Sequence, residues 1–324
     1  MGIPLADIGI TPLIKPGPAP AAQPTTQQPI GKGRSAQAAT GIGTTLGRRI
    51  ARQRHTPPMA SAPLSLEASP IAFGTDGWRG VLGVDITVER LLPVAAAAAQ
   101  ELAHAAPQGL TSREVVIGYD RRFLAPELAE AISAAVRGCE LVPLLCDSPV
   151  PTPACSWAVV ERQALGALVI TASHNPPEWL GLKIKGPFGG SVEGDFTQRV
   201  ETRLAAGGIT VPIPGRTERF DGMGTYLAGL QAKVDTGALS AGLQRLGLQV
   251  IVDPMHGSAA GGLPRLLSDA HNSGHLQEIR SHRDPLFGGN PPEPLAAYLG
   301  ELIAAVKAST AAGRPAMGIV FDGD

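Results

Sequence analysis

Four short apolar runs, each breaking off into polar and glycine residues, constrain this fold more than any other feature of the chain. Val115-Val116-Ile117 leads into Gly118-Tyr119-Asp120, and Ala167-Leu168-Val169-Ile170 leads into a loop around Ser173. Gln249-Val250-Ile251-Val252 enters Asp253-Pro254-Met255-His256-Gly257. Met317-Gly318-Ile319-Val320-Phe321 enters Asp322-Gly323-Asp324. Continuous apolar runs of this length are expected of strands buried on both faces, in a sheet covered by helices. A helical stretch over about 126–137 follows the first run. The pattern predicts an α/β protein. In open α/β sheets ligands bind at the carboxyl ends of strands, so these four loops are where chemistry is expected. A polar, Gly-rich stretch near 205–224 suggests a boundary between two such units, although no sequence repeat accompanies it.

The remaining composition mainly excludes. The net charge of −1 gives no field that would gather nucleic acid or anionic lipid. No run of about 18 apolar residues is present, so no transmembrane helix is expected. Cys139, Cys146 and Cys155 are odd in number and widely spaced, which fits reduced core thiols better than disulfides or a zinc site. Residues 1–67 are rich in Pro, Ala, Gln, Thr and Gly, with Asp7 the only acid before Glu67 against seven Lys or Arg. Such a segment buries too little apolar surface to offset its ordering entropy, so disorder is expected there. Its Arg-rich, acid-poor character also resembles an organellar transit peptide, but a low-complexity extension or a misplaced gene start is the weightier reading. The chain is expected in the cytoplasm as a monomer or weak dimer.

The loops differ in chemical content. In Thr171-Ala172-Ser173-His174-Asn175-Pro176 a serine just past a buried strand can present its hydroxyl to a cleft, where it needs a base, a metal or donors to act. His174 and Asn175 can position a group on that oxygen, and Pro176 stops a helix from forming at once. Lys183 and Lys185 alternate around Ile184 and share one face if extended, where they suit a phosphate. Phe73-Gly74-Thr75-Asp76-Gly77-Trp78-Arg79-Gly80 offers exposed N–H groups and the planar fork of Arg79 for an anion. Asp322-Gly323-Asp324 places two carboxylates where a bending loop can converge them on a hard cation. Taken singly, each has a bland alternative as a turn. Asp253 to Gly257 reads as a loop shaping a domain edge, and the 287–294 loop, Phe-Gly-Gly-Asn-Pro-Pro-Glu-Pro, reads as a rigid turn without chemistry.

Together and in this order, the motifs resemble the α-D-phosphohexomutase family, which includes phosphoglucomutases and phosphomannomutases. The resemblance runs from about residue 71 to 324 and rests on the 74–80, 118–122 and 171–176 motifs, Gly181-Leu182-Lys183, 253–257, 290–294 and 322–324. Residues 1–67, expected to be disordered on composition, lie outside it; it implies two three-layer α/β/α domains with mixed sheets after them. Domain I would span 68–205 with a phosphoserine loop, and domain II 206–324. It also implies an isomerase of carbohydrate metabolism, a phosphoprotein that moves phosphate between the 1- and 6-positions of a hexose through a bisphosphate.

The same resemblance assigns roles. Ser173 would carry the phosphoryl group and, with Asp322 and Asp324, hold Mg²⁺. Lys183 would take part in proton transfer; a lysine with lowered pKa can move a proton to or from a sugar hydroxyl. Arg79 and His174 would surround the phosphoryl group, and Lys185 and Asn175 would touch phosphate or substrate. Glucose phosphate is the first expectation for substrate, mannose phosphate the second and glucosamine phosphate the third. The family has two further domains, a third metal aspartate and its arginine, so a truncated chain of weak or no activity is expected. A non-catalytic remnant binding sugar phosphate or a protein partner is the alternative. A serine hydrolase fits poorly, since Ser173 lacks a glycine elbow.

Overall fold

The computed structural model describes residues 67–209 and 211–324. The expected disorder of the extension lies outside the described residues, except at Glu67.

Each of the four apolar runs is a strand. The first sheet has six strands in the order β1, β5, β4, β2, β3, β6. These are β1 (Trp78–Val81), β2 (Glu114–Tyr119), β3 (Val142–Cys146), β4 (Gly166–Ile170), β5 (Trp179–Lys185) and β6 (Glu218–Phe220). The strands from β4 to β6 in that order are parallel, while β5 runs antiparallel to both β4 and β1. The sheet is therefore mixed. One of its two edge strands, β6, comes from beyond the expected boundary at 205/206.

Alternate residues of the central strands feed two cores, as period-two side-chain geometry requires. Val115, Ile117, Leu168 and Ile170 join one core with α1 (Val88–His104), α2 (Ala125–Gly138) and α4 (Gly194–Ala206). Val116, Ala167 and Val169 join the other with α3 (Thr152–Arg162) and α5 (Gly222–Gln231). Cys146 and Cys155 are buried in this second core, and Cys139 packs against the first. Five consecutive alanines, Ala95 to Ala99, are wholly buried in α1 and let it lie close to α2 and α4.

The second sheet has three parallel strands in the order β8, β7, β9: β7 (Gln249–Asp253), β8 (Leu276–Glu278) and β9 (Ala316–Val320). Between and around them lie α6 (Thr236–Leu246), α7 (Gly262–Leu266), α8 (Ser268–Asn272) and α9 (Gly300–Ala311). Its core is small, with only Val250, Val252, Ala270 and Leu276 buried on the α8 side. β7 is buried throughout, but β9 departs from the expectation of burial on both faces. Among the described residues it pairs only with β7, and Met317 is 44% exposed. Among the described residues no helix is long and apolar enough to cross a membrane.

Candidate active site

The carboxyl ends of β2 and β4 lie side by side, which brings Asp120 and the Ser173 loop together. Ser173 takes a left-handed backbone (φ 53°), uncommon for a residue with a side chain. Its N–H donates to the Thr171 hydroxyl (2.9 Å), and its Oγ donates to Asp322 Oδ2 (2.9 Å). Thus the loop after β4 and the loop after β9 meet at the serine oxygen.

Two glycines permit that meeting. A Cβ on Gly323 would lie 2.6 Å from the Ser173 carbonyl oxygen and 2.8 Å from Pro292. A Cβ on Gly257 would lie 2.7 Å from the Asp322 carbonyl oxygen. Ser258 holds the same loop through its Oγ, which donates to the Gly323 carbonyl (2.9 Å). The loops at 253–257 and 287–294 therefore shape the site by contact. The Asp253 carboxylate itself is buried against Arg280, in keeping with a structural role.

A chain of charges surrounds the serine. Lys183 Nζ lies 2.8 Å from Asp324 Oδ2 and 2.7 Å from Asp76 Oδ2. Asp76 Oδ2 also accepts from Arg79 Nη2 (2.6 Å), and Arg79 Nη1 donates to Asn175 Oδ1 (2.9 Å). The hydroxyls of Thr152 and Thr171 each lie 2.9 Å from Asp324 Oδ2. Lys183 and Lys185 share one face of β5, while Leu182 and Ile184 turn into the core. Lys185 is buried and donates to Ser191 Oγ (2.9 Å), and His174 is exposed at the loop tip.

The titration directions follow from this wiring. Burial pushes the Asp322 carboxyl above its ordinary value, and the nearby Asp324 charge adds to the push. For Asp324 burial works the same way, but Lys183 and the two threonine hydroxyls outweigh it and hold the group below the usual range. Burial works to lower the Lys183 pKa, yet Asp324 and Asp76 outweigh it and raise the group above the ordinary lysine value. The expected lowered lysine is thus not Lys183 in this arrangement. Lys185 is the one lowered, by burial first and by the Lys183 charge second. Burial pushes Asp120 up to about 6, against the pull of Arg122 and Thr171.

The donor set suits a hard cation. Among the described residues no cluster of three or more His, Cys, Asp or Glu side chains is present. Asp322, Asp324 and Ser173 offer two carboxylates and one hydroxyl oxygen, and magnesium commonly takes one or two carboxylates with a substrate phosphate and waters. Phosphorylating Ser173 would replace its donated hydrogen with anionic oxygens beside Asp322, a repulsion that a cation relieves. The residues present therefore fit the group.

Sequence reasoning passed over several of these side chains. Asp76, Thr152, Thr171, Asp120 and Arg122 all join the network without a role assigned from the sequence; the Asp-x-Arg spacing at 120–122 and Asp-x-x-Arg at 76–79 are the signals that pair a carboxylate with a guanidinium.

The comparisons with known proteins agree with the architecture. The family model "Phosphoglucomutase/phosphomannomutase, alpha/beta/alpha domain I" matches residues 70–208, and that for domain II matches residues 225–324. The phosphoglucosamine mutase of Mycolicibacterium paratuberculosis is 32% identical over 255 residues, 78% of this chain and 53% of that protein. That of Cereibacter sphaeroides is 36% identical over 200 residues, 60% of this chain and 42% of the relative. A crystal structure from Thermus thermophilus, of a protein assigned as a phosphomannomutase, superposes with TM-score 0.69 at 33% identity. That match covers 79% of this chain and 55% of the other. A phosphoglucomutase/phosphomannomutase family protein from Burkholderia thailandensis shares the fold, with TM-score 0.63 at 24% identity over 79% of this chain and 53% of its own. The chain belongs to the α-D-phosphohexomutase family and carries sequence of the family's domains I and II. It spans about half the length of the curated relatives it matches.

Proposed function

We propose that the protein acts in phosphoryl transfer on hexose phosphates, with Ser173 as the phosphoryl carrier of a phosphohexomutase. The observation that carries this is the meeting of Ser173 Oγ with Asp322, 2.9 Å apart, beside the linked charges of Lys183, Asp324, Asp76 and Arg79. Phosphoryl transfer asks little covalent help of a protein, and positioning with charge neutralisation carries it.

In the proposed reaction the bond between phosphorus and Ser173 Oγ breaks as one forms to a sugar hydroxyl oxygen. Ser173 Oγ takes up a proton and the sugar hydroxyl gives one up. Lys183 would give the first proton and then receive the second, although Asp76 and Asp324 raise its pKa and so oppose the giving. Arg79 and His174 would hold phosphoryl oxygens, and Asn175 Oδ1 accepts from Arg79 (2.9 Å), which fixes its direction. Asp322, Asp324 and the serine oxygen would hold Mg²⁺, which when bound neutralises charge on the phosphoryl oxygens. Lys185, on the same face of β5 as Lys183, would be a second phosphate partner, its charge weakened by burial and by the Lys183 charge.

The names of the relatives give no support to glucose as the first substrate, and several are phosphoglucosamine mutases. Glucosamine phosphate therefore heads the test panel, with mannose and glucose phosphates beside it. The chain is incubated with Mg²⁺ and each hexose 1,6-bisphosphate, and phosphate is located by peptide mapping. Label on Ser173 is expected. A folded protein that takes no phosphate from any of them would sink the reading. Sugar phosphate binding without labelling would favour the non-catalytic alternative, which the half-length match to the relatives keeps in view.

A further inference from the structure

The Arg122 guanidinium, fully buried, has five N–H donors and all five are used. Nε donates to Asp120 Oδ2 (3.2 Å). Nη1 donates to the carbonyls of Pro176 (2.7 Å) and Trp179 (3.0 Å), and Nη2 to those of Ser173 (2.8 Å) and Asn175 (2.6 Å). Four of the five acceptors are backbone oxygens of the loop that presents Ser173 and of Trp179, the first residue of β5 after it. The second sheet's side touches the same residue, since the Phe287 ring lies under the guanidinium (5.0 Å) and Arg283 donates to the Arg122 carbonyl (3.1 Å).

We propose that Arg122 is a positioning residue that clamps the 173–179 backbone, so that the left-handed Ser173 keeps its oxygen aimed at the Asp322 loop. A non-glycine residue in the left-handed region persists only where its surroundings over-determine it, and four convergent carbonyl bonds do that here. No other side chain type reproduces the clamp. A lysine brings three donors from one point, against five in a rigid fork, and leaves at least two of the acceptors without a partner. The inference rests on Ser173 as the phosphoryl carrier, but the clamp itself is separately measurable.

The test compares wild type with Arg122→Lys in two measurements. The first is the time course of Ser173 labelling by hexose 1,6-bisphosphate with Mg²⁺. A positioning role keeps the final labelled fraction and lowers the rate constant about a hundredfold at saturating bisphosphate. A merely structural role lowers the labelled fraction and leaves the rate of the folded part unchanged, which would overturn the proposal, as would an unchanged time course. The second is amide hydrogen exchange. Faster exchange confined to 171–179, with β2 and β4 unaltered, is expected, and no local change would overturn the clamp.

If wild type takes no label, the functional reading fails while exchange still decides the clamp. If Arg122→Lys does not fold, the wild-type spectrum decides. Separately resolved, slowly exchanging Arg122 Nη signals support the clamp, and one averaged signal overturns it.

Discussion

The strands β4 and β9 have the same form in sequence, an apolar run breaking into a polar loop, yet the folded chain treats them differently. β4 lies inside its sheet between β5 and β2, and all five of its residues are buried. Its loop is gathered by the Arg122 fork. β9 lies at the edge of its sheet, half open, over a core of four buried apolar side chains. Its loop is held chiefly by what it touches, namely Ser258, Gly257 and the Ser173 loop. At roughly 1.5–3 kcal/mol per buried large apolar side chain, the first region is much the better supported. The site thus joins a stiff half, which in the proposed function would carry the phosphoryl group, to a more compliant half, which brings Asp322 and Asp324.

The comparison breaks most sharply at the serine. Ser173→Ala removes the carrier, so labelling by a hexose bisphosphate should vanish, while the unfolding midpoint in urea moves little. Label persisting in this variant would place the phosphoryl group elsewhere. Next in size is Gly323→Ala, which tests whether the compliant loop must touch the stiff one. Its methyl would meet the Ser173 carbonyl at 2.6 Å and Pro292 at 2.8 Å, so the loop must retreat. Labelling should slow at least tenfold, since displacements near 1 Å can cost about 10²-fold. An unaltered rate would mean that the Asp322 contact is dispensable.

Much of this was legible in the sequence. The four runs gave the strands, their ends gave the loops, and the Lys183–Lys185 alternation gave one face of β5. The clamp was not legible, because Arg122 bonds to backbone carbonyls, and carbonyls carry no side-chain signature. Nor was Asp76, whose partners lie three residues away at Arg79 and, far along the chain, at Lys183 on β5, the strand paired with β1. The short β6, Glu218-Arg219-Phe220, has no apolar run to announce it and gains its place only by pairing with β3. The exposure of β9 depends on which strands flank it, which its own five residues do not encode.

A smaller effect should separate the two sheets in the unaltered protein. Native-state hydrogen exchange reports the free energy of local opening. Amides of β2 and β4 should exchange only through global unfolding. Those of β9 should exchange at least tenfold faster, through opening of the second sheet's edge. Equal protection of β4 and β9 would remove the distinction between stiff and compliant halves.

The last test confines itself to the first half. Glu101 of α1 is buried and accepts from Arg199 (2.5 Å) and Arg203 (2.9 Å), both on α4. Burial works to raise its pKa, but the two guanidiniums outweigh it and hold the carboxyl below its ordinary value of 4.5. A depressed carboxylate contributes stability that is fully present above the unfolded value and is lost as pH falls through the folded one. Glu101→Gln should therefore cost about 1 kcal/mol at neutral pH, a modest figure because both arginine side chains are partly solvated. The gap between the two proteins should stay flat above the ordinary glutamate value of 4.5 and close as the solution is acidified below it. Urea unfolding at a series of pH values measures it. Ser173 labelling should not change, because the lock joins α1 to α4 and none of its partners belongs to the network around the serine. A gap that stayed constant at low pH would assign the loss to packing, and slower labelling would couple this lock to the site after all.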